Sequence, residues 1–171
     1  MSVHERARWA YPVVTVLLSA TVVLSAPVVV QASEQRTIQV GDPFPQWELS
    51  DQFDDKHQLP GESTEAIVFA RSKQADESLA PALESVAGER LIHGEVVYVS
   101  DISRMPGLIS RLFALPALRD RGYPVVLIRE EGLSAPLTTR EDCLARYRLD
   151  EQGRVIAIDH LCGPADVKNA F

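Results

Sequence analysis

The chain has 171 residues, 46% of them hydrophobic, and 24 acidic against 17 basic residues give a net charge of −7. That length suits one ordinary hydrophobic core and is short for two. Its Lys and Arg are scattered, which excludes nucleic acid and anionic membrane surface as main partners, because both require clustered positive charge. There is no internal repeat and no low-complexity tract.

The N-terminus reads MSVHERARWA, with Arg6 and Arg8 as its only basic residues, followed by YPVVTVLLSATVVLSAPVVVQA. A basic start, an apolar run and small side chains at Val30 and Ala32 predict a secretory signal over 1–32, cleaved before Ser33. The apolar run exceeds the usual ~7–15 residues, so an uncleaved anchor is the alternative. Either way residues 33–171 form the exported domain, in the periplasm or tethered to the inner membrane facing it. Membrane contact is expected only through the N-terminal segment. Without residues 1–32 the chain keeps 15 basic and 23 acidic residues, net −8.

Next, TIQVGDPFPQWELSDQFDDKHQL predicts two extended pieces around a turn, with Pro43 and Pro45 keeping the first irregular. AIVFA at 66–70 is continuously apolar, as in a strand buried on both faces. Leu79, Leu83, Val86 and Ala87 then recur at helical spacing, with Ser72 or Asp76 available as the cap. EVVYVS is a second buried strand. SRMPGLISRLFALP predicts a helix capped by Ser103, with Leu108, Ile109, Leu112 and Phe113 as its buried stripe and Pro116 ending or kinking it. PVVLI is a third buried strand, and GPADVKNAF a short closing helix. Trp47 and Phe113 read as core, and His93 as a solvated loop residue. Strands alternating with helices call for a parallel central pair, to which a late hairpin adds antiparallel strands.

That hairpin bears on the two cysteines, Cys143 and Cys162. An oxidising compartment favours a disulfide between them. YRLDEQGRVIAI reads as strands Tyr147–Leu149 and Arg154–Ile158 around a DEQG turn. With Asp150 facing Gly153, Cys143 falls opposite His160, two residues short of Cys162. A relaxed bridge therefore needs a bulge or a strand end to close the gap. Closing a loop of about 20 residues suggests roughly 3 kcal/mol of stabilisation. A structural staple is the expectation, and a redox-active pair the rival.

Three stretches in this order resemble the thioredoxin-like superfamily. VGDPFPQWELSDQFDDKHQL is similar to the entry segment of its peroxiredoxin and TlpA-type branches. AIVFARSKQADESLAPALESVA resembles the strand-to-helix unit, including a proline inside the helix at Pro81. RGYPVVLI resembles the segment carrying a cis-proline opposite the active site, which makes Pro124 that residue and Tyr123 its predecessor. The resemblance spans roughly residues 38–170. It implies an α/β fold with a central mixed β-sheet flanked by helices and an N-terminal β-hairpin. VVYVSDISRMPGLISRLFALPALR also resembles a small set of exported bacterial proteins, some named as flavin-containing dehydrogenases. The chain has no Gly-x-Gly-x-x-Gly unit and is small for enclosing a flavin dinucleotide, so no cofactor is expected.

Aligned from Pro81, the superfamily's Cys-x-x-Cys positions fall on Lys73 and Asp76. Thiol–disulfide exchange needs a thiolate attacking sulfur, and neither an ammonium nor a carboxylate supplies one. No catalytic residue is therefore expected there. His160 and Cys162 stand two apart as a soft-metal pair, but two ligands do not make a site and the bridge would consume Cys162, so no metal is expected. Ser100, Asp101 and Ser103 read as capping groups rather than nucleophiles. The expected function is a redox-inactive binding or accessory module. Its groove, formed by Lys73, Asp76, Tyr123 and Pro124, would hold a periplasmic protein or peptide. The alternative is a thiol oxidoreductase working through Cys143 and Cys162.

Overall fold

The computed structural model describes residues 36–107 and 114–171. The expected signal segment 1–32 and the helical stripe Leu108–Phe113 lie outside the described residues. A short antiparallel hairpin comes first, β1 (Trp47–Ser50) and β2 (Lys56–Leu59), paired from Trp47 opposite Leu59 to Ser50 opposite Lys56. Five strands make the main sheet: β3 (Ala66–Ala70), β4 (Val96–Asp101), β5 (Val125–Ile128), β6 (Leu144–Leu149) and β7 (Val155–Leu161). Their order is β5-β4-β3-β6-β7, with β3, β4 and β5 parallel and β6 and β7 antiparallel. The mixed sheet and the N-terminal hairpin are thus both present.

β3 explains why its run reads as buried on both sides. Ala66, Val68 and Ala70 face a core shared with the long helix α1 (Lys73–Ile92), while Ile67 and Phe69 face a second core containing Phe44, Leu59 and Tyr147. The period of two sends successive side chains to opposite faces, so a strand covered on both must be apolar throughout. α1 begins where expected, with Ser72 Oγ accepting from the Ala75 amide at 3.0 Å, and it carries Pro81 inside. Leu79, Leu83 and Ala87 bury toward the sheet and Val86 is half-buried, as their spacing predicts.

The connection to β5 differs from expectation. Pro116 does not end a helix; it lies in the first turn of the described helix α2 (Leu115–Arg119), and the alternative of a kink in a longer helix falls with residues 108–113 outside the described residues. Ser103 caps no described helix and instead donates its amide (3.0 Å) and hydroxyl (2.6 Å) to Asp101 Oδ1. The chain closes with α3 (Pro164–Ala170), packed against α1 through Val167.

The β6–β7 hairpin corrects the expected register. Asp150 bonds Arg154, so the turn holds three residues, with Gly153 in the left-handed region at φ +72°. Asp150 Oδ1 also accepts from the Gln152 and Arg154 amides, tightening the turn. Leu149 then pairs with Val155 but Arg148 with Ala157, so Ile156 is an extra, bulged residue. The shift carries down both strands, through Ala145 opposite His160 and Leu144 opposite Leu161. Cys143 therefore falls directly opposite Cys162: the third turn residue moves its partner from the expected His160 to Leu161, and the bulge moves it one further. The two form the expected disulfide, with Cα atoms 4.2 Å apart.

Candidate functional site

The C-terminal ends of β3 and β4 and the first turn of α1 meet at one end of the sheet. Ser72, Lys73 and Asp76 stand on the α1 turn, Ser100, Asp101 and Ile102 at the end of β4, and Met105, Ala114, Ala117 and Leu118 across from them. These groups border a cavity of about 400 Å³ with mostly apolar walls. A shallower, more polar depression of about 830 Å³ lies at the opposite end of the sheet, beside Arg90, Arg146 and Arg148. There Arg90 is engaged by Glu65 and Glu95, and Arg146 by Asp159. Polar and saturated with its own ion pairs, it makes the weaker candidate site.

Asp76 and Arg121 form the centre of the first site. The Arg121 guanidinium grips both Asp76 carboxylate oxygens, and the two side chains are only 14–15% exposed. Tyr98 Oη donates to Asp76 Oδ1 at 2.5 Å from below. Burial first, and then the negative charge of Asp76, pushes the Tyr98 phenol well above its ordinary range, so it remains a neutral donor. Burial works against the Arg121 charge, but the hydrogen bond and charge of Asp76 outweigh it and raise its pKa further. Arg121 also stacks 5.4 Å over the Tyr98 ring. A bidentate, charge-assisted pair of this kind is rigid.

The other expected groove residues divide. Lys73 is exposed at the cavity rim and pairs with Glu77 at 3.3 Å. Tyr123 is 3% exposed and sits in the core edge-to-face with Tyr98, so it is not a groove surface. Pro124 is also corrected. Tyr123–Pro124 is a trans peptide bond, the cis bond among the described residues being Leu59–Pro60. The backbone on either side of Pro124 is already occupied. The fully buried Gln52 donates to the Tyr123 carbonyl at 2.9 Å and accepts from the Val125 amide at 2.7 Å, closing on this segment as a neighbouring strand would. Its Nε2 also reaches the Leu118 carbonyl at 3.3 Å. Gln52→Leu keeps the approximate volume but strands these backbone groups, and should lower stability by about 2–4 kcal/mol. Thermal unfolding with retention of the disulfide checks this; a loss under ~1 kcal/mol would mean water replaces the carboxamide.

Arg121, Gln52, Asp101 and Ser134 were not legible as site residues. Asp101 is buried and accepts from the Ser134 hydroxyl at 2.5 Å. Arg71 donates to the Ser134 and Leu137 carbonyls at 2.8 Å each, lies over the Phe69 ring, and leaves its buried Nε without a partner. These hydrogen-bond partners are 33–73 residues apart in sequence, beyond any local pattern. The disulfide stands closer to the site than its sequence position suggests. Continuing the β3–β6 register two residues past Phe69 opposite Ala145 sets Cys143 beside Arg71, and Ser72 Oγ reaches Asp142 at 3.4 Å. His160 borders the bridge, its pKa lowered by burial and by Arg140 against the pull of Asp159. Among the described residues no group of three His, Cys, Asp or Glu is placed to hold a metal ion.

No family model matches the chain, and neither does any curated protein. Solved structures do. A thiol:disulfide interchange protein described as DsbE from Chlorobium tepidum aligns over 78% of this chain and 94% of its own, with a TM-score of 0.56 at 15% identity. A thio-disulfide isomerase from Thermus thermophilus aligns over 78% and 94%, with a TM-score of 0.53 at 18% identity. A peroxiredoxin-like protein from Aquifex aeolicus covers 79% and 89%, with a TM-score of 0.50 at 12% identity. The chain has a thioredoxin-like fold. Identities this low carry the architecture alone. Within that fold, the 400 Å³ cavity lies against the strand-to-helix unit whose resemblance placed Lys73 and Asp76 at the Cys-x-x-Cys positions.

Proposed function

We propose that this protein is an exported, redox-inactive thioredoxin-like module that binds a partner or ligand at the start of α1, with Cys143–Cys162 as a structural staple. The observation that carries this reading is the Asp76–Arg121–Tyr98 cluster. A side chain in a position that would carry thiol chemistry is held in a partly buried ion pair, beside an open apolar cavity. A carboxylate cannot undergo disulfide exchange, and Asp76, held by Arg121 and Tyr98, is engaged in structure rather than presented to a substrate. Export is supported by the basic-then-apolar N-terminus and by a pair of cysteines that are both used in a disulfide. Among the described residues no helix is long and apolar enough to cross a membrane. Cleavage before Ser33 would release the domain to the periplasm, and an intact N-terminus would tether it.

The purified protein should not accelerate reduction of insulin by dithiothreitol, and should consume no peroxide above a buffer control. Turnover that disappears in Cys143→Ala would replace this reading with its rival, a thiol oxidoreductase. One observation favours the rival: Cys162 is exposed while Cys143 is 5% exposed, giving the bridge an attackable outer sulfur. Equilibration with glutathione separates the two, since a staple stays oxidised at the poise of that couple and a catalytic pair exchanges readily.

A further inference from the structure

We propose that the cavity at the start of α1 takes a small, free, uncharged and mostly apolar molecule, an inference that rests on the binding-module reading above. Its size falls in the ~300–1,000 Å³ range of small-molecule sites. Ile102, Met105, Ala114 and Leu118 supply apolar wall. Every charged lining group named above is already engaged. Asp76 is held by Arg121 and Tyr98, Lys73 by Glu77, Asp101 by the Ser103 and Ser134 hydroxyls, and Arg71 by two carbonyls and the Phe69 ring, its unpartnered Nε being buried out of solvent reach.

Past the exposed Lys73–Glu77 pair at the rim, a charged ligand would have to break the largely buried Asp76–Arg121 pair, draw Arg71 from its carbonyls, or give up hydration uncompensated, and each is costly. A neutral apolar molecule meets no such penalty and gains from leaving water. An extended peptide is disfavoured by a separate observation. The backbone groups flanking Pro124, which a peptide strand would pair with, are spent on Gln52, and Tyr123 is buried rather than offered as a contact surface.

The test titrates the full mature protein with the neutral dye N-phenyl-1-naphthylamine and displaces it with 1-decanol, decanoate and decylammonium, three probes sharing one chain length. Dye fluorescence should rise saturably, and decanol should displace it at a concentration at least ten-fold below either charged analogue. Ala117→Trp obstructs the cavity from an exposed position, and should weaken dye binding at least ten-fold. Ser85→Trp, exposed on α1 away from the cavity wall, should leave it unchanged. Ala117→Glu, which sets a carboxylate at the apolar mouth, gives the same loss if the tryptophan variant does not fold.

Absence of saturable binding, or binding that survives both Ala117 variants, overturns the inference. Preferential displacement by decanoate or decylammonium that is lost in Ala117→Trp also overturns the neutral-ligand inference, while the binding module stands. No binding together with cysteine-dependent disulfide turnover removes both.

Discussion

Replacing Arg121 by alanine should destabilise the protein by about 3–5 kcal/mol, because it leaves the Asp76 carboxylate partly buried with only the Tyr98 hydroxyl to answer it. For a domain of this size that is a fall in melting temperature of roughly 10 °C. The reason is asymmetry. Two charges gripping each other bidentately can roughly offset what they lost in leaving water, but one charge left behind keeps the whole desolvation cost. Asp76→Ala should cost a comparable amount for the mirror reason. Replacing both together, as Asp76→Leu with Arg121→Met, should recover most of the loss, since two apolar side chains of similar volume strand no charge. Calorimetric melts of the singles and the double close the cycle. An Arg121→Ala loss below ~1 kcal/mol would mean that water already screens the pair, and that this cluster does not rigidify the site.

Cys143→Ala should lower stability by about 2–4 kcal/mol, with the melting temperature falling by several degrees. The bridge closes a 19-residue separation and joins the ends of β6 and β7, where the strands would otherwise fray. Alkylation of the native protein without reductant should label neither thiol. Cys143→Ala should also loosen the rim of the cavity, because Asp142, held by its neighbour's bridge, is what reaches Ser72 at the α1 cap. Faster amide exchange at Ser72–Ala75 would report that. Labelling of either cysteine in the unreduced folded protein would remove the staple.

Where periodicity governs, the fold was readable along the chain. The continuous apolar run of β3, the helical spacing of Leu79, Leu83 and Ala87, and the Ser72 cap are local rules with local causes, and the structure obeys each. The cysteine pairing was readable from the hairpin and the expectation of export together. Its register was not, because a third turn residue and a one-residue bulge at Ile156 leave no compositional mark, yet each moves every pair beyond it by one position. Lys73 and Asp76 were correctly placed on the first turn of α1. What they do was not visible: Lys73 pairs with Glu77 one helical turn away, and Asp76 with Arg121 from another segment altogether.

The amino-acid sequence by itself determined the strand and helix order, the buried character of the central strands and the availability of two cysteines for one bridge, because these depend on spacing and hydropathy over a few residues. Only the tertiary structure decided that Tyr123 is core rather than contact surface, and that Gln52 occupies the backbone beside Pro124. It alone set an apolar cavity against the Asp76–Arg121 pair. Those outcomes depend on which distant segments the sheet brings together. A glutamine in a turn carries no signal of a partner some 70 residues on, because its hydrogen bonds form only once burial has removed the water that would otherwise satisfy them.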